Sequence, residues 1–220
     1  MKVNNILICF ALAALLFAAC GGGDYTPKPQ AYLRIDMPEH SYWLVDSLCI
    51  HAGDTLTDGT DTVVAITGSC KTFPFTFEAN QCVEIKEKSA PKGEEWIDLV
   101  YPHWDGVVFL TYKRLNGTAD LRGQTDTSSR MLERHYKLSS GVEEQGYEDH
   151  DNRVYGTVYY LHGNKVASTM QFWLTDSTRH FLRGALYLNR TPNNDSLAPV
   201  LNYIQEDIEH LVETLRWRNK

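Results

Sequence analysis

An apolar stripe at helical spacing runs through the last part of the chain and predicts a long amphipathic helix. Asn194, Asp195 and Ser196 are typical N-cap residues, and Pro199 falls in the first turn, where its missing amide matters little. The stripe advances in steps of one, three and four residues, as one helix face requires: Leu197, Val200, Leu201, Ile204, Ile208, Leu211, Val212 and Leu215. Burying it stabilises a fold by roughly 10–20 kcal/mol before chain entropy is subtracted, so we expect the helix to pack on a sheet.

Segments with period-two alternation precede this helix and predict antiparallel strands. The segment RVYGTVYYLHGNKVASTMQFWLTD (153–176) is typical of a β-hairpin, in which Gly163-Asn164 supplies a two-residue turn that tolerates positive φ. Its second strand has apolar residues on one face and polar residues on the other: Val166, Met170, Phe172 and Leu174 against Thr169, Gln171 and Thr175. HFLRGALYLN (180–189) predicts a third strand.

Shorter segments predict strands in the first half of the chain, at 31–36, 41–46, 62–67, 73–78 and 82–87. EWIDLVYP (95–102) and GVVFLTYKRL (106–115) predict a strand pair joined by a loop at 102–106, and residues 51–61 are polar and rich in turn formers. A further helix is predicted over Asp126–Leu138, where Asp126, Thr127 and Ser128 offer caps. These elements predict an α+β fold, an antiparallel sheet packed by two or more helices.

The first 20 residues have the layout of a secretory signal that ends in a lipidation site. Lys2 is followed by an uncharged apolar run over 6–19, which is shorter than the roughly 20 residues of a spanning helix. Cys20 follows two alanines directly, as in a bacterial lipobox, and we expect its thiol to carry a diacylglycerol and its amino end a further acyl chain such as palmitate. The alternative is an ordinary signal peptide cut after Ala19, which leaves a free thiol at Cys20.

Composition and charge set the organisation of the exported chain. We expect a signal peptide at 1–19, a lipidated flexible linker at 20–30 and a single α+β domain at 31–220, with the alternative of a β-rich part at 31–115 and an α+β part at 116–220. The formal net charge of -7 argues against nucleic acid as a partner and against docking of the protein surface on anionic lipid. The lipid anchor predicts a place in the cell envelope, at the outer membrane. Only Asp24, and no acidic cluster, follows Cys20 closely, which favours a position facing the periplasm.

Three segments offer groups that occur in active or metal sites, and each has a structural interpretation that fits better. In TDSTRH (175–180), Asp176, Ser177 and His180 lack the glycine-flanked turn of a nucleophile elbow, and they fit a turn between strands. In PHWD (102–105), His103 and Asp105 flank Trp104 and would suit a sugar or a metal, but they also suit a polar turn. No metal-ligand spacing or phosphate-binding glycine loop occurs. We therefore predict that the protein is not an enzyme and has no cofactor, no metal and no small-molecule ligand.

The exported body contains three cysteines, Cys49, Cys70 and Cys82, so at least one has no internal partner. Cys70 and Cys82 flank KTFPFTFEANQ, which would bring them together if it formed a hairpin, and a bridge there would contribute roughly 3 kcal/mol. The alternative is three buried, unpaired thiols.

Arg183 and Trp104 are the candidates for contact with a partner protein. Arg183 is opposite in phase to Leu182 and Leu186 on its predicted strand, so its side chain leaves the core face. It either meets a partner or forms an ion pair with an acidic residue inside the fold.

Several segments carry a resemblance to a known family: YTPKPQAYLRID, FPFTFE, YPHWDGVVFLTYK and the long block from 167 to 217. They resemble the gliding motility lipoprotein GldD family of Bacteroidetes, over the chain from Tyr25 onward. Two positions depart from the family pattern: Gln30-Ala31 stands where Arg-Gly is expected, and Trp173 where Tyr is expected. The C-terminal part is also similar to the PsbP/MOG1-like fold, by analogy alone.

The resemblance implies an envelope lipoprotein that supports the gliding apparatus, which is tied to type IX secretion, through contacts with other lipoproteins of that machinery. It implies no reaction. A periplasmic hydrolase or glycan-binding module is the alternative from a different functional class.

Overall fold

The computed structural model describes residues 36–50, 55–58, 61–64 and 69–218. The signal, Cys20, the linker and nearly all of the predicted strand at 31–36 lie outside the described residues. In the described ranges no helix has both the length and the apolar character needed to cross a membrane.

Twelve strands and two α-helices make up the described part. The strands are β1 Tyr42–Ile50, β2 Thr55–Asp58, β3 Asp61–Val64, β4 Ser69–Asn80, β5 Glu84–Lys88, β6 Glu94–Tyr101, β7 Gly106–Arg114, β8 Gly141–Asp149, β9 Val154–His162, β10 Met170–Thr175, β11 His180–Leu188 and β12 Arg216–Trp217. The helices are α1 Thr118–Tyr136 and α2 Asn194–Thr214, and a 3₁₀ turn at Pro102–Trp104 joins β6 to β7. The predicted α+β class is confirmed.

An antiparallel seven-stranded sheet in the order β5-β6-β7-β11-β10-β9-β8 forms the framework. The predicted pair β6–β7 and the predicted run β9, β10, β11 both belong to it. Strand β7 pairs along its whole length with β11, from Gly106 opposite Leu188 to Arg114 opposite His180. The sheet therefore continues across residue 115, the boundary of the alternative two-part division.

A smaller sheet, β1-β4-β12, lies beside α2 and supplies aromatic side chains to the core. Strand β4 is 12 residues long, and its alternation buries Phe73, Phe75 and Phe77 completely or nearly so. The two-residue strand β12 follows α2 and pairs with β4 at Phe75 and Thr76. This pairing fastens the end of α2 to the small sheet.

The main core lies between one face of the seven-stranded sheet, α2 and β4. Seven of the eight predicted stripe positions of α2 are buried, and Leu197 is partly buried against the same cluster. Tyr203 and Asp207 join them as buried residues that the stripe did not include. The helix begins at Asn194, and its N-cap is Asn193, whose side chain makes no capping hydrogen bond. This N-cap lies one residue before Asn194, the earliest predicted cap.

Helix α1 lies on the opposite face of the large sheet and starts earlier than predicted. It begins at Thr118 rather than Asp126. The prediction missed its first turns because they are polar and show no apolar periodicity. Only Ser128 and Leu132 are buried on it, and Leu132 packs with Leu161 and Val166 of the sheet side. Helix α1 packs on β10 and β11. Gln171 and Thr175, which the alternation had assigned to a polar face, are buried on this side of the sheet.

Two local predictions about turns and strands need correction. The connection between β9 and β10 runs over residues 163–169 rather than two residues, although Gly163 does have a positive φ of 132°. Strand β8 was not predicted, because it is an edge strand with nearly every side chain exposed and therefore has no apolar alternation. Strands β2 and β3 form a short pair within and just after the polar segment 51–61.

The disulfide prediction was wrong in its pairing. Cys70 is bonded to Cys49, and Cys82 is a free thiol. The segment between Cys70 and Cys82 is the continuous strand β4 rather than a hairpin, so its ends lie roughly 35–40 Å apart at about 3.3 Å per residue. Cys49 instead lies directly opposite Cys70 in the β1–β4 ladder.

Candidate partner-binding surface

The TDSTRH segment forms a tight turn between β10 and β11. The Asp176 carboxylate accepts the backbone amides of Thr178, Arg179 and His180 at 2.7–2.9 Å, and its other oxygen accepts the Thr178 hydroxyl at 2.7 Å. Burial acts to raise the pKa of Asp176, but these hydrogen bonds outweigh it and lower the pKa to about 2. Ser177 has a positive φ of 66°, as an exposed turn residue does.

The Ser177 hydroxyl and the His180 ring are not brought together. His180 Nδ1 lies 2.9 Å from the Tyr112 hydroxyl, and its ring stacks on Trp217 at a centroid distance of 5.0 Å. Burial lowers the pKa of His180. Within the described ranges, no hydrogen bond joins Ser177 to His180, and the Asp176 hydrogen bonds hold this segment as a turn between β10 and β11.

The PHWD segment forms the 3₁₀ turn between β6 and β7, and an ion pair joins it to the segment that follows β11. Asp105 has a positive φ of 51°, and Arg190 donates to its carboxylate at 2.7 Å. Trp104 is half-buried, with its ring 5.0 Å from Tyr203 and 6.1 Å from Tyr101. Among the described residues there is no cluster of three or more side chains suited to a metal ion.

A buried polar cluster around Asp207 fastens the segment before β1 to α2. Asp207 is 4% exposed and accepts hydrogen bonds from Asn80 and from the Tyr101 hydroxyl, both at 3.0 Å. His40 Nδ1 lies 2.7 Å from the same carboxylate, and His40 Nε2 lies 2.9 Å from Glu206. Burial, and then the Asp207 charge, raise the pKa of Tyr101. No sequence pattern indicates this cluster, because its members are dispersed over 167 positions.

The part of the large sheet that α1 leaves open carries three neighbouring aromatic side chains. On the face that α1 covers elsewhere, alternation brings Trp96, Phe109 and Tyr187 to the surface of β6, β7 and β11. Phe109 is 43% exposed and Trp96 is 39% exposed, and the Phe109 and Tyr187 rings lie 5.7 Å apart. We call Trp96, Phe109, Tyr187 and Arg183 the aromatic face.

Helix α1 packs against the β11 side of the aromatic face and leaves the rings on β6 and β7 open. His135, in its last turn, reaches Tyr187 with Nε2 at 3.2 Å from the hydroxyl, and burial lowers the pKa of this histidine. Beyond Tyr187, the rings of β6 and β7 remain open. A cleft of about 520 Å³ continues from Phe109 and Tyr187 to Val100, Val107 and Asp98. Burial raises the pKa of Asp98, and Lys88, 4.0 Å away, partly offsets this.

Arg183 lies on the aromatic face, opposite Thr111 of β7 and Trp173 of β10. It is partly buried, and its guanidinium donates to Gln171 Oε1 at 3.3 Å. In the part of the chain that the structure describes, no carboxylate lies within 4.0 Å of it. Burial lowers the pKa of Arg183. Of the two alternatives for this residue, an internal ion pair is therefore not present among the described residues.

A second cleft of about 540 Å³ lies between the β9–β10 connection and α2. Its lining includes four amide side chains and two ring side chains: Asn164, Asn194, Asn202, Gln205, Tyr160 and His162. Several of these groups are already bonded: Gln205 donates to Thr169 at 3.3 Å, and the Asn164 side-chain oxygen accepts the Asp195 amide at 3.2 Å. In the described part of the chain, the Asn202 side chain has no hydrogen bond and is open to a polar ligand.

Of three comparisons with known proteins, only the comparison with family models finds a match. No curated protein and no solved structure matches it, so the similarity to the PsbP/MOG1-like fold stays a prediction. A family model described as gliding motility lipoprotein GldD matches residues 66–217. Because this match spans more than half of the 220 residues, the chain belongs to the gliding motility lipoprotein GldD family.

Proposed function

We propose that this gliding motility lipoprotein supports the assembly or stability of the gliding and type IX secretion machinery through protein–protein contacts, without catalysing a reaction. The body binds other lipoproteins of that machinery. The lipid on Cys20 holds it in the cell envelope, at the outer membrane and facing the periplasm.

The aromatic face is the observation that carries this proposal. Trp, Tyr and Arg are the residues that most often dominate binding energy at protein interfaces, and here two aromatic side chains about 40% exposed adjoin a third ring and a guanidinium. A soluble surface leaves such neighbouring apolar groups open mainly where another molecule covers them. The TDSTRH segment, the strongest catalytic candidate in the sequence, is occupied by turn hydrogen bonds.

The anchor complements this surface. Residues 21–30 span at most roughly 35 Å when extended, so a lipid on Cys20 would keep the body near the membrane. Partners anchored in the same membrane would then meet it at a raised effective concentration.

Deletion of the gene and affinity purification of a tagged chain test the proposal together. We expect other lipoproteins of the machinery to fall in abundance in the deletion strain, to recover on complementation, and to co-purify with the tagged chain. Unchanged partner levels together with no specific co-purification would contradict the proposal.

The amide-lined cleft favours a second candidate, a glycan-binding module, because amides and exposed rings suit sugar hydroxyls and sugar ring faces. The double variant Asn202→Ala/Gln205→Ala separates the two candidates. The partner-binding proposal expects it to support gliding normally, and the glycan proposal expects a loss of gliding at normal abundance. Alanine at His103 and Ser177, both exposed, tests the hydrolase alternative in the same assay, where loss of function would support catalysis.

A further inference from the structure

We infer that Arg183 is the receptor for a carboxylate of the partner protein, and that apolar side chains flanking this carboxylate cover Trp96 and Phe109. The inference rests on the proposed function, since it names the chemistry of the protein that binds the aromatic face. Its partner is a protein segment that presents Asp or Glu among apolar residues.

Hydrogen-bond donors outnumber acceptors around Arg183. A guanidinium carries five N–H donors, and the described residues offer it one acceptor, Gln171 Oε1 at 3.3 Å. Gln171 is 3% exposed, and its own Nε2 has no partner within the described ranges. A buried amide N–H without an acceptor costs about 1–3 kcal/mol. Gln171 Nε2 is enclosed and out of reach of a ligand, so the partly exposed Arg183 guanidinium is the group that favours a ligand that accepts hydrogen bonds.

The charges around the aromatic face select an anion. Its other cations already lie near carboxylates: Lys86 with Glu84 at 3.0 Å, Lys113 with Glu94 at 3.9 Å and Lys88 with Asp98 at 4.0 Å. Arg183 is the described cation on this face without such a neighbour. Because it is partly desolvated, an ion pair formed there is stronger than one at an open surface. The planar fork of arginine matches the two oxygens of a carboxylate.

The surroundings of Arg183 select a protein rather than an anionic membrane. A membrane surface would attract clustered cations, whereas here the lysines are matched by carboxylates and the chain has a formal net charge of -7. Trp96 lies two strands away on the same row, through Thr111, which is about 10 Å at the usual strand spacing. One partner segment therefore reaches the guanidinium and the aromatic rings together.

The test uses the full-length chain in living cells, with the photoreactive analogue p-benzoylphenylalanine in place of Phe109. The same probe at Val142, which is 37% exposed on the distant edge strand β8, serves as the matched control. We expect the probe at 109 to cross-link one partner protein at a peptide that contains Asp or Glu beside apolar residues. Arg183→Gln should lower that yield at least tenfold, and Arg183→Lys should lower it less.

A charge exchange completes the test. Arg183→Glu should abolish the cross-link, and arginine in place of the identified partner carboxylate should restore it. Circular dichroism and abundance verify that each variant is folded, and the lysine variant keeps the test valid if the glutamate variant does not fold. The inference is overturned if folded Arg183→Gln cross-links as well as the wild type, if the exchange restores nothing, or if the probe captures only lipid or a second copy of this chain.

The two proposals fail in different ways. If deletion depletes the machinery's lipoproteins but the probe at Phe109 captures no protein, the carboxylate receptor is wrong and the proposed function stands. If partner levels are unchanged and nothing specific co-purifies, the proposed function fails, whatever the cross-linking shows.

Discussion

Asp207 is a polar residue whose loss we expect to destabilise the fold strongly. Replacing it with alanine leaves Asn80, the Tyr101 hydroxyl and His40 without their shared acceptor in a buried site. We expect Asp207→Ala to lower the free energy of unfolding by about 3 kcal/mol, since removing one partner of a buried polar network leaves the others desolvated. Urea unfolding of the soluble body measures this.

The control for Asp207 lies on the same helix. Glu213 is exposed, so Glu213→Ala should change the free energy of unfolding by less than about 0.5 kcal/mol. A loss at Asp207 no larger than that at Glu213 would show that the cluster contributes nothing to stability.

Asp176 gives the protein a specific loss of stability in acid. Its folded pKa is about 2, below the ordinary value of 3.8, so the carboxylate stabilises the fold above pH 4. That stabilisation, roughly 2 kcal/mol, is lost as the pH falls from about 4 to about 2. Asp176→Asn removes the charge and should be less stable than the wild type at pH 6. The difference should shrink below pH 4, and a difference independent of pH would contradict the assignment. Unfolding curves across this pH range measure it.

At the scale of elements, the disulfide fastens β1 to β4. It closes a loop of 21 residues, which corresponds to about 3 kcal/mol of stabilisation. We expect the exported body to contain one disulfide by mass spectrometry, and the double variant Cys49→Ser/Cys70→Ser to unfold at a clearly lower temperature.

Cys82→Ser is the matched control for the disulfide. Because Cys82 is a free thiol, this variant should keep the disulfide and most of the thermal stability. A peptide map that links Cys82 to Cys70 would contradict the Cys49–Cys70 pairing and support the pairing expected from the sequence.

The elements that the sequence predicted well are those with one buried face. Helix α2 and strands β6, β7, β9, β10 and β11 each have an apolar side against the core, so their periodicity was visible. Strand β8 and the first turns of α1 were missed because exposed polar residues carry no such period. Strand β4 was predicted only over 73–78, and recognising its full length would have excluded the Cys70–Cys82 bridge.

The candidate site was less predictable than the fold because it depends on how distant elements pack in the tertiary structure. Alternation indicates that Phe109 and Trp96 leave the core face, but whether they are covered depends on where α1 lies across the sheet. Arg183 was expected to leave the core, as it does. The register of β10 against β11 makes Gln171, rather than a carboxylate, the neighbour of Arg183. No sequence pattern predicts this register.

At the scale of the whole molecule, we expect an acidic body to be held at the membrane by a lipid on Cys20. The chain has a formal net charge of -7, so anionic headgroups should repel the body, and the lipid should supply the membrane affinity. Two or three acyl chains supply it stably, where one holds only marginally. We therefore expect the lipidated chain to be bound to the membrane, and a processed chain without the lipid to be released.

Replacing residues 1–20 with an ordinary cleavable signal peptide tests this expectation. A simple Cys20→Ala change is less informative, because an uncleaved signal would itself hold the chain to the membrane. We expect the wild type to enter the detergent phase and to carry a mass excess of a diacylglycerol and an acyl chain. The exchanged form should appear in the soluble periplasmic fraction with the same unfolding temperature and should restore gliding poorly, since it has lost the raised local concentration near its partners. A wild-type amino terminus without fatty acid, or full activity of the released form, would mean that the body finds its partners without an anchor.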